Sequence, residues 1–374
     1  MIHTIRIKNF KSIRDVSVDL APITVFVGRS GTGKSNFFQA LSALKKLVTK
    51  TNASSQWPSH LGGEQNIYFE CEFSVGAASE RYCYLLSRVK RCNSKRHEYW
   101  GIEEKLSFAD TVLFHHNTDS NGIAEWKHAP DVMNSPSPKG VVLGQLPAMP
   151  EAVVAFTTLT NGIGFYDFSD TVLLENRSAN GQGGLSSDAS NFLTALQAIS
   201  QDLNDVGLKK RLVATLKRVN PTIESIELDS IQKPSSAIVA HRFQEGAKLE
   251  QLLLSQESAG VRRFYAHLLA LYQKPPKQTL MFEHPEDGIH PGAMSLLADE
   301  FKDCAEEGRG QILLSTHNPM LLDHFSADQI RAVDLEEAET KIGPISEAQQ
   351  EAIRQDLLDA GELLTTDPAR IQKE

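Results

Sequence analysis

Gly28-Arg29-Ser30-Gly31-Thr32-Gly33-Lys34-Ser35 fits GxxxxGK[ST], the spacing of a phosphate-binding P-loop. The chemistry follows from the residue types. Glycines let backbone N–H groups turn inward around phosphate oxygens, and the helix that follows adds positive potential at its N-terminus. Lys34 is placed to reach the β/γ-phosphates and Ser35 to ligate Mg²⁺. Far downstream, an apolar run from Thr279 to Phe282 ends in Glu283-His284-Pro285-Glu286-Asp287. A carboxylate at the end of such a strand is where the Mg²⁺ partner of a P-loop belongs, and Glu283 is the candidate. Glu286 and Asp287 read equally well as a solvated acidic turn. Leu313-Leu314-Ser315-Thr316-His317-Asn318-Pro319 ends a further strand in an imidazole, expected at the phosphate edge of the sheet as a γ-phosphate contact. Ser258-Ala259-Gly260 opens a helix, where a Ser cap and a Gly make a second anion site.

The elements that must hold these groups are legible in outline. Apolar residues 23–27 precede the loop and a helical pattern over 36–48 follows it, the strand–loop–helix context the motif requires. Residues 2–8 and 15–20 alternate as paired strands do. Residues 66–75, 80–90, 97–108 and 111–115 read as strands of an antiparallel sheet inserted after the P-loop helix. Polar loops are expected over 52–65, 116–150 and 175–188. Helices are expected over 189–203, 208–219, 261–272, 293–305 and 319–325, buried strands over 279–282 and 311–315, and a further strand over 330–334. That alternation implies an α/β fold with a mostly parallel core sheet, which the P-loop strand joins across the insertion. The expected lobes of a single head are 1–50, an inserted β subdomain over 66–174, a helical lobe over 189–275, a core over 276–345 and a helical tail over 346–374.

Bulk properties narrow the classes. The 374 residues are 41% hydrophobic and globular, with no stretch near the ~20 apolar residues of a membrane span. The opening Met1-Ile2-His3-Thr4-Ile5-Arg6 has no signal-peptide pattern, and the four cysteines show no CxxC spacing. A reduced, cytoplasmic protein without a zinc hook is expected. The net charge of −9 argues against a generally basic, DNA-coating surface. Local basic runs at Arg88-Val89-Lys90-Arg91 with Lys95-Arg96, and at Lys209-Lys210-Arg211 with Lys217-Arg218, read best as solvated faces. His115-His116 is a weak metal pair.

Taken in order, the P-loop, the S-x-G helix start, the acidic strand and the strand-end histidine resemble an ABC-type ATPase head of the SMC/RecF/OLD branch, especially its small ATPases. Ile5-Arg6-Ile7-Lys8-Asn9-Phe10-Lys11-Ser12 resembles the branch's N-terminal strand signature, and Ser190-Asn191-Phe192-Leu193 its "GSNL" helix start. Gly288-Ile289-His290-Pro291 and residues 315–319 resemble its "GLHP" and "STHSP" segments. The resemblance implies two heads that sandwich ATP and Mg²⁺, the P-loop of one facing Ser258-Ala259-Gly260 of the other, with hydrolysis releasing the dimer. It implies nucleotide contacts from Gly28, Ser30, Gly31, Thr32, Gly33, Lys34, Ser35, Asn36, Lys11, Ser258 and Gly260. It also implies Mg²⁺ at Ser35 and Glu283, and catalytic roles for Glu283, His284 and His317.

The chain departs from the family pattern at three points. His284 occupies the place of the glutamate that polarises attacking water; it could accept a proton near pH 7 or leave hydrolysis slow. Glu257 stands where a leucine is usual, and only Gln65 is available as a Q-loop. The stretch after His317 is too short for an added Toprim nuclease. The implied function is an ATP-gated, dimeric or higher-order sensor of a bacterial antiphage system, acting with a separate effector such as a nuclease or toxin, and no membrane. The alternatives are a RecF-like repair ATPase that clamps duplex DNA and a non-hydrolysing, ATP-bound scaffold.

Overall fold

A computed structural model describes residues 1–49, 66–76, 80–92, 97–119, 121, 123–128, 140–169, 171–174, 184–201, 207–229 and 236–372. Gln65, Lys95 and Arg96 lie outside these, as do most of the expected loops over 52–65 and 175–188. The chain forms two compact units. One comprises residues 1–163, 327–358 and 362–374; the other comprises 164–326 and 359–361.

The first unit begins with β1 (Ile2–Phe10) and β2 (Ile13–Asp19), an antiparallel hairpin whose alternate side chains are buried. Strand β3 (Ile23–Val27) is buried at every residue and delivers the chain to the P-loop. Helix α1 (Lys34–Thr49) follows, and Phe26 clamps it to β3, with ring centroids 4.6 Å from Phe37 and 5.5 Å from Phe38. Strands β4 (Tyr68–Phe73), β5 (Tyr82–Cys92), β6 (Glu98–Phe108), β7 (Thr111–Thr118) and β8 (Ala124–His128) then pair antiparallel. The antiparallel sheet expected after the P-loop helix is therefore present, and it extends the N-terminal hairpin. The order is β2-β1-β4-β5-β6-β7-β8. Two strands occupy part of the expected 116–150 loop, because the pairing of β7 with β6 and of β8 with β7 outweighs the polar composition of residues 116–128. Helix α2 (Pro150–Thr160), with Pro at its first turn, packs on α1.

The second unit runs from β9 (Ile163–Tyr166), at the boundary, through α3 (Phe192–Ser200) and α4 (Leu208–Val219). Residues 223–253, expected within a helical lobe, instead make a three-stranded antiparallel sheet of β10 (Ile223–Asp229), β11 (Ser236–His241) and β12 (Glu250–Leu253). Helix α5 (Ala259–Tyr272) is buried at all twelve positions from Val261 to Tyr272, which makes it the spine of this unit. Strand β13 (Thr279–Glu283) lies parallel to β14 (Gln311–Ser315), with α6 (Met294–Glu306) as the crossover and α7 (Pro319–Leu322) after β14. The chain returns to the first unit with β15 (Ile330–Glu336), which is parallel to β3. Strand β16 (Glu339–Pro344) then pairs antiparallel with β15, and α8 (Glu347–Arg354) follows. Both units thus carry the parallel strand pairs expected of the α/β core.

His267 on α5 is fully enclosed. Its Nδ1–H donates to the Arg263 carbonyl at 2.7 Å, and its ring lies 5.0 Å from Phe168 and 5.6 Å from Phe282. Burial drives its pKa down to about 4, so the folded protein holds it neutral. Its unfolded value is near 6.5. Between these values the unfolded chain binds a proton that the native chain does not, so stability falls as pH drops through this window. His267→Phe should flatten that loss in urea unfolding at pH 7.5 and pH 5. An unchanged pH dependence would show that other groups carry it.

Candidate nucleotide site

The P-loop is held by side chains from both ends of the sequence. Thr340 on β16 donates from Oγ1 to the Thr32 carbonyl at 2.8 Å and lies 2.6 Å from Ser12 Oγ. Asn36 Nδ2 donates to Ser12 Oγ at 2.6 Å, and the Thr340 amide donates to the Ser12 carbonyl at 2.7 Å. Gly33 sits over this cluster with φ +104°, and any Cβ there would overlap the Thr340 side chain. A Cβ at Gly28 would overlap the Val333 carbonyl oxygen. Glycine is required at both positions because neighbouring chain occupies the space.

Lys34 is buried, and its ammonium turns back into the loop, donating to the carbonyls of Gly28 at 2.8 Å and Arg29 at 2.9 Å. Thr32 Oγ1 donates to the Arg29 carbonyl at 2.9 Å. Arg29, Ser30 and Gly31 are exposed at the rim, and Ser35 and Asn36 are half-buried on the first turn of α1. This cradle fits a polyphosphate: a cation inside a glycine-shaped loop, at the N-terminus of a sixteen-residue helix. Lys11, with φ +51°, donates to Gln39 on α1 and lies over the Phe10 ring at 5.9 Å. It therefore shares the α1 neighbourhood with Asn36.

In the second unit the acidic strand ends as its sequence suggests, with one correction. Glu283 pairs with Ser315 across β13 and β14 and is half-buried. His284 adopts φ +48°, a left-handed conformation that costs a non-glycine residue energy and recurs at functional sites. Its amide donates to the Ser315 carbonyl at 3.1 Å. Its ring stacks on His317, with centroids 4.9 Å apart and planes 10° from parallel. Glu286 is no solvated turn residue: it is 7% exposed, and its Oε1 accepts the His317 amide at 2.8 Å. Asp287 alone is exposed. The Glu286 carboxylate, 3.8 Å from His284 Nδ1, raises the imidazole above its ordinary range against partial burial. Burial would raise Glu286 itself, but its hydrogen bonds outweigh that and hold its pKa below the usual range. The neighbouring carboxylate thus shifts the His284 imidazole toward its protonated form.

Ser258 is exposed and caps α5, accepting the Val261 amide at 3.3 Å. Gly260 backs onto the Gly288 carbonyl, 3.0 Å from where its Cβ would stand. The unusual Glu257 is buried and bonded to His241 Nε2 at 2.6 Å, while His241 Nδ1 lies 2.9 Å from Thr222 Oγ1. Arg262 closes the same loop by donating to the Glu257 carbonyl at 2.7 Å. The acid that breaks the sequence pattern thus ties the capped helix start to β11.

The basic runs are answered by neighbours. Lys209 pairs with Glu227, Arg211 with Glu307, Lys217 with Glu224 and Arg218 with Asp299. Arg88 lies 4.7 Å over Trp100, and Lys90 pairs with Glu98. His115 and His116 are adjacent on a strand and so face opposite ways; they bond to Glu103 at 2.9 Å and Glu104 at 3.0 Å. Among the described residues no cluster of three His, Cys, Asp or Glu could hold a metal. Among the described residues, too, no helix is long and apolar enough to cross a membrane.

Sequence reasoning missed Thr340, the buried state of Glu286, and the His241–Glu257 pair. Ser12 carried a signal, standing at the end of the N-terminal strand signature; Thr340 carried none.

Two family models match the chain. One, described as "AAA ATPase domain", covers residues 1–137 and includes the P-loop. The other, described as "AAA domain, putative AbiEii toxin, Type IV TA system", covers residues 157–323 and includes Ser258, Glu283 and His317. No curated protein matches by sequence. The fold is similar to that of an SMC head bound to the C-terminal winged-helix domain of ScpA, with TM-score 0.52, 13% identity and coverage of 94% of this chain and 99% of that one. Weaker likenesses are to the SMC head domain of Thermotoga maritima (TM-score 0.46, 12% identity, covering 92% and 99%) and to an Smc head with an extended coiled coil bound to the C-terminal domain of ScpA from Pyrococcus furiosus (0.48, 12%, 95% and 99%).

Thr340→Val keeps the side-chain shape and removes the hydroxyl that ties β16 to the loop. It should cost about 1 kcal/mol for each hydrogen bond lost, read by urea unfolding. It should also weaken Mg-ATP binding by about tenfold or more in calorimetry. Wild-type affinity in this variant would show that the loop keeps its shape without Thr340.

Proposed function

From the premise that this chain is an SMC-like ATPase of the ABC/AAA type, by its two family-model matches and its fold, we propose that it is an ATP-gated dimerising switch. The observation that carries the proposal is the preformed P-loop, with the Lys34 ammonium already inside it at 2.8 Å from the Gly28 carbonyl. Residues 1–374 act as one head. Gly28 to Asn36 bind the polyphosphate, and Lys11 contributes from the turn after β1. Ser35 would hold Mg²⁺, which would supply charge neutralisation at the phosphates.

Ser258 and Gly260 serve the nucleotide of a second copy, so ATP joins two heads and its γ-phosphate is the signal. Exposure of Ser258, at the start of an otherwise buried helix, supports this role. Hydrolysis is slow in this reading because position 284 lacks a carboxylate. The lifetime of the ATP-bound dimer is then long. The output is a separate effector, a nuclease or toxin, in bacterial antiphage defence in the cytoplasm. The match to a model whose description names a toxin–antitoxin system supports that context, and the ScpA-bound head is a precedent for a head that docks a second protein. Duplex DNA is not the partner in this reading, since Lys209, Arg211, Lys217 and Arg218 of α4 are paired with the protein's own acids and, among the described residues, only Lys210 of that run is not.

Two outcomes test this. The purified protein should bind Mg-ATP in calorimetry and shift from monomer to dimer in light scattering, and Lys34→Ala should abolish both; an intact fold without ATP binding would refute the proposal. His284→Glu should raise ATP turnover by about tenfold or more. Unchanged or lower turnover would instead identify the imidazole as the working base.

A further inference from the structure

Lysines on the strands beside the P-loop are neutralised by acids. Lys8 on β1 pairs with Asp15 at 3.1 Å, and Lys341 on β16 pairs with Glu339 at 3.0 Å. Lys11 is held differently. Its ammonium donates to the side-chain oxygen of Gln39 and lies 5.9 Å over the Phe10 ring, and among the described residues no acid pairs with it. An amide oxygen and an aromatic face fix an ammonium without cancelling its charge.

The backbone holds this lysine at a cost. Lys11 stands at φ +51°, a left-handed conformation that glycine or asparagine adopts more readily and that recurs at functional sites. The next residue, Ser12, is bonded to Asn36 and Thr340, so the chain beside Lys11 is fixed against the P-loop. On α1, Gln39 shares a face with Ser35 and Asn36 and lies one turn beyond them. Helical side chains lean back toward the N-terminus, so Gln39 covers the surface over the first turn of α1. The tether therefore directs the Lys11 ammonium to the end of α1 at which the P-loop opens. All of these residues belong to the first unit.

We propose that Gln39 is a positioning residue that keeps the Lys11 ammonium both fixed and uncancelled, as a cation for the phosphates of a nucleotide seated in the P-loop. The neutrality of Gln39 is the functional property. A carboxylate at position 39 would hold Lys11 as firmly and remove its charge from the site. The inference rests on the reading of Lys11 as a nucleotide contact, and adds the residue through which that contact is set. Lys34 supplies charge from inside the loop and Lys11 from outside it.

The test is calorimetry on the full chain with a non-hydrolysable Mg-ATP analogue, paired with urea unfolding of the same variants. Lys11→Met should weaken binding by about tenfold. Gln39→Glu, nearly identical in shape, should weaken it by as much or more, yet leave the unfolding midpoint unchanged or raised, because the new ion pair still ties the turn to α1. Gln39→Leu frees the ammonium without cancelling it. It should cost about threefold in affinity, and nothing further once Lys11 is already Met. A tie that served the fold alone would behave in the opposite way: Glu would preserve binding, and Leu would weaken it equally with or without Lys11. Wild-type affinity in Gln39→Glu or in Lys11→Met overturns the inference and leaves the ATP switch standing. Absence of nucleotide binding by the wild type overturns the switch itself, and the inference with it.

Discussion

A threonine hydroxyl stands where a side chain at position 33 would have to go. Much of the P-loop's geometry follows from that exclusion. Gly33 must be glycine because Thr340 fills the space, and Thr340 is there because β16 pairs with β15 and so brings its hydroxyl to the Thr32 carbonyl. Ser12 and Asn36 complete the chain of hydrogen bonds, so the first turn after β1 and the first turn of α1 are fixed by the same atoms. The loop is shaped from outside, by packing, before any phosphate arrives. Binding then spends little on ordering the loop.

The second unit uses a different device. Here strain and a buried charge replace close packing. His284 sits in an unfavourable backbone region and Glu286 is a carboxylate taken out of water; each is tolerable because the other, with the His317 amide, compensates part of its cost. The same logic recurs at Glu257, another acid in a buried place, which His241 satisfies. Glu257 looks anomalous in the sequence and Glu286 does not, yet both turn out to be tied to a histidine.

What the sequence made legible was what depends on neighbours along the chain. The P-loop is eight consecutive residues, α5 has a serine cap and an apolar-rich helical pattern, and β13, β14 and the strand-end position of His317 follow from local hydrophobicity. What it hid was what depends on pairing at a distance. Strand β11 is rich in alanine, a weak strand former, and is held by ladders to β10 and β12. Strand β16 contains Gly343 and Pro344, residues that weaken strands, yet it pairs along its length with β15. Glu286 read equally well as a residue near the site or as part of a solvated acidic turn; the fold decides, because it is buried and accepts the His317 amide. Composition judged the basic runs correctly in kind, as surface charge, but could not show which acids answer them.

The bond between Ser12 and Thr340 spans 328 positions of the chain. A ribosome adds the P-loop residues long before the threonine that shapes them. Until Thr340 has left the exit tunnel, the nascent chain carries the letters of a phosphate-binding loop without the hydroxyl that fixes its shape.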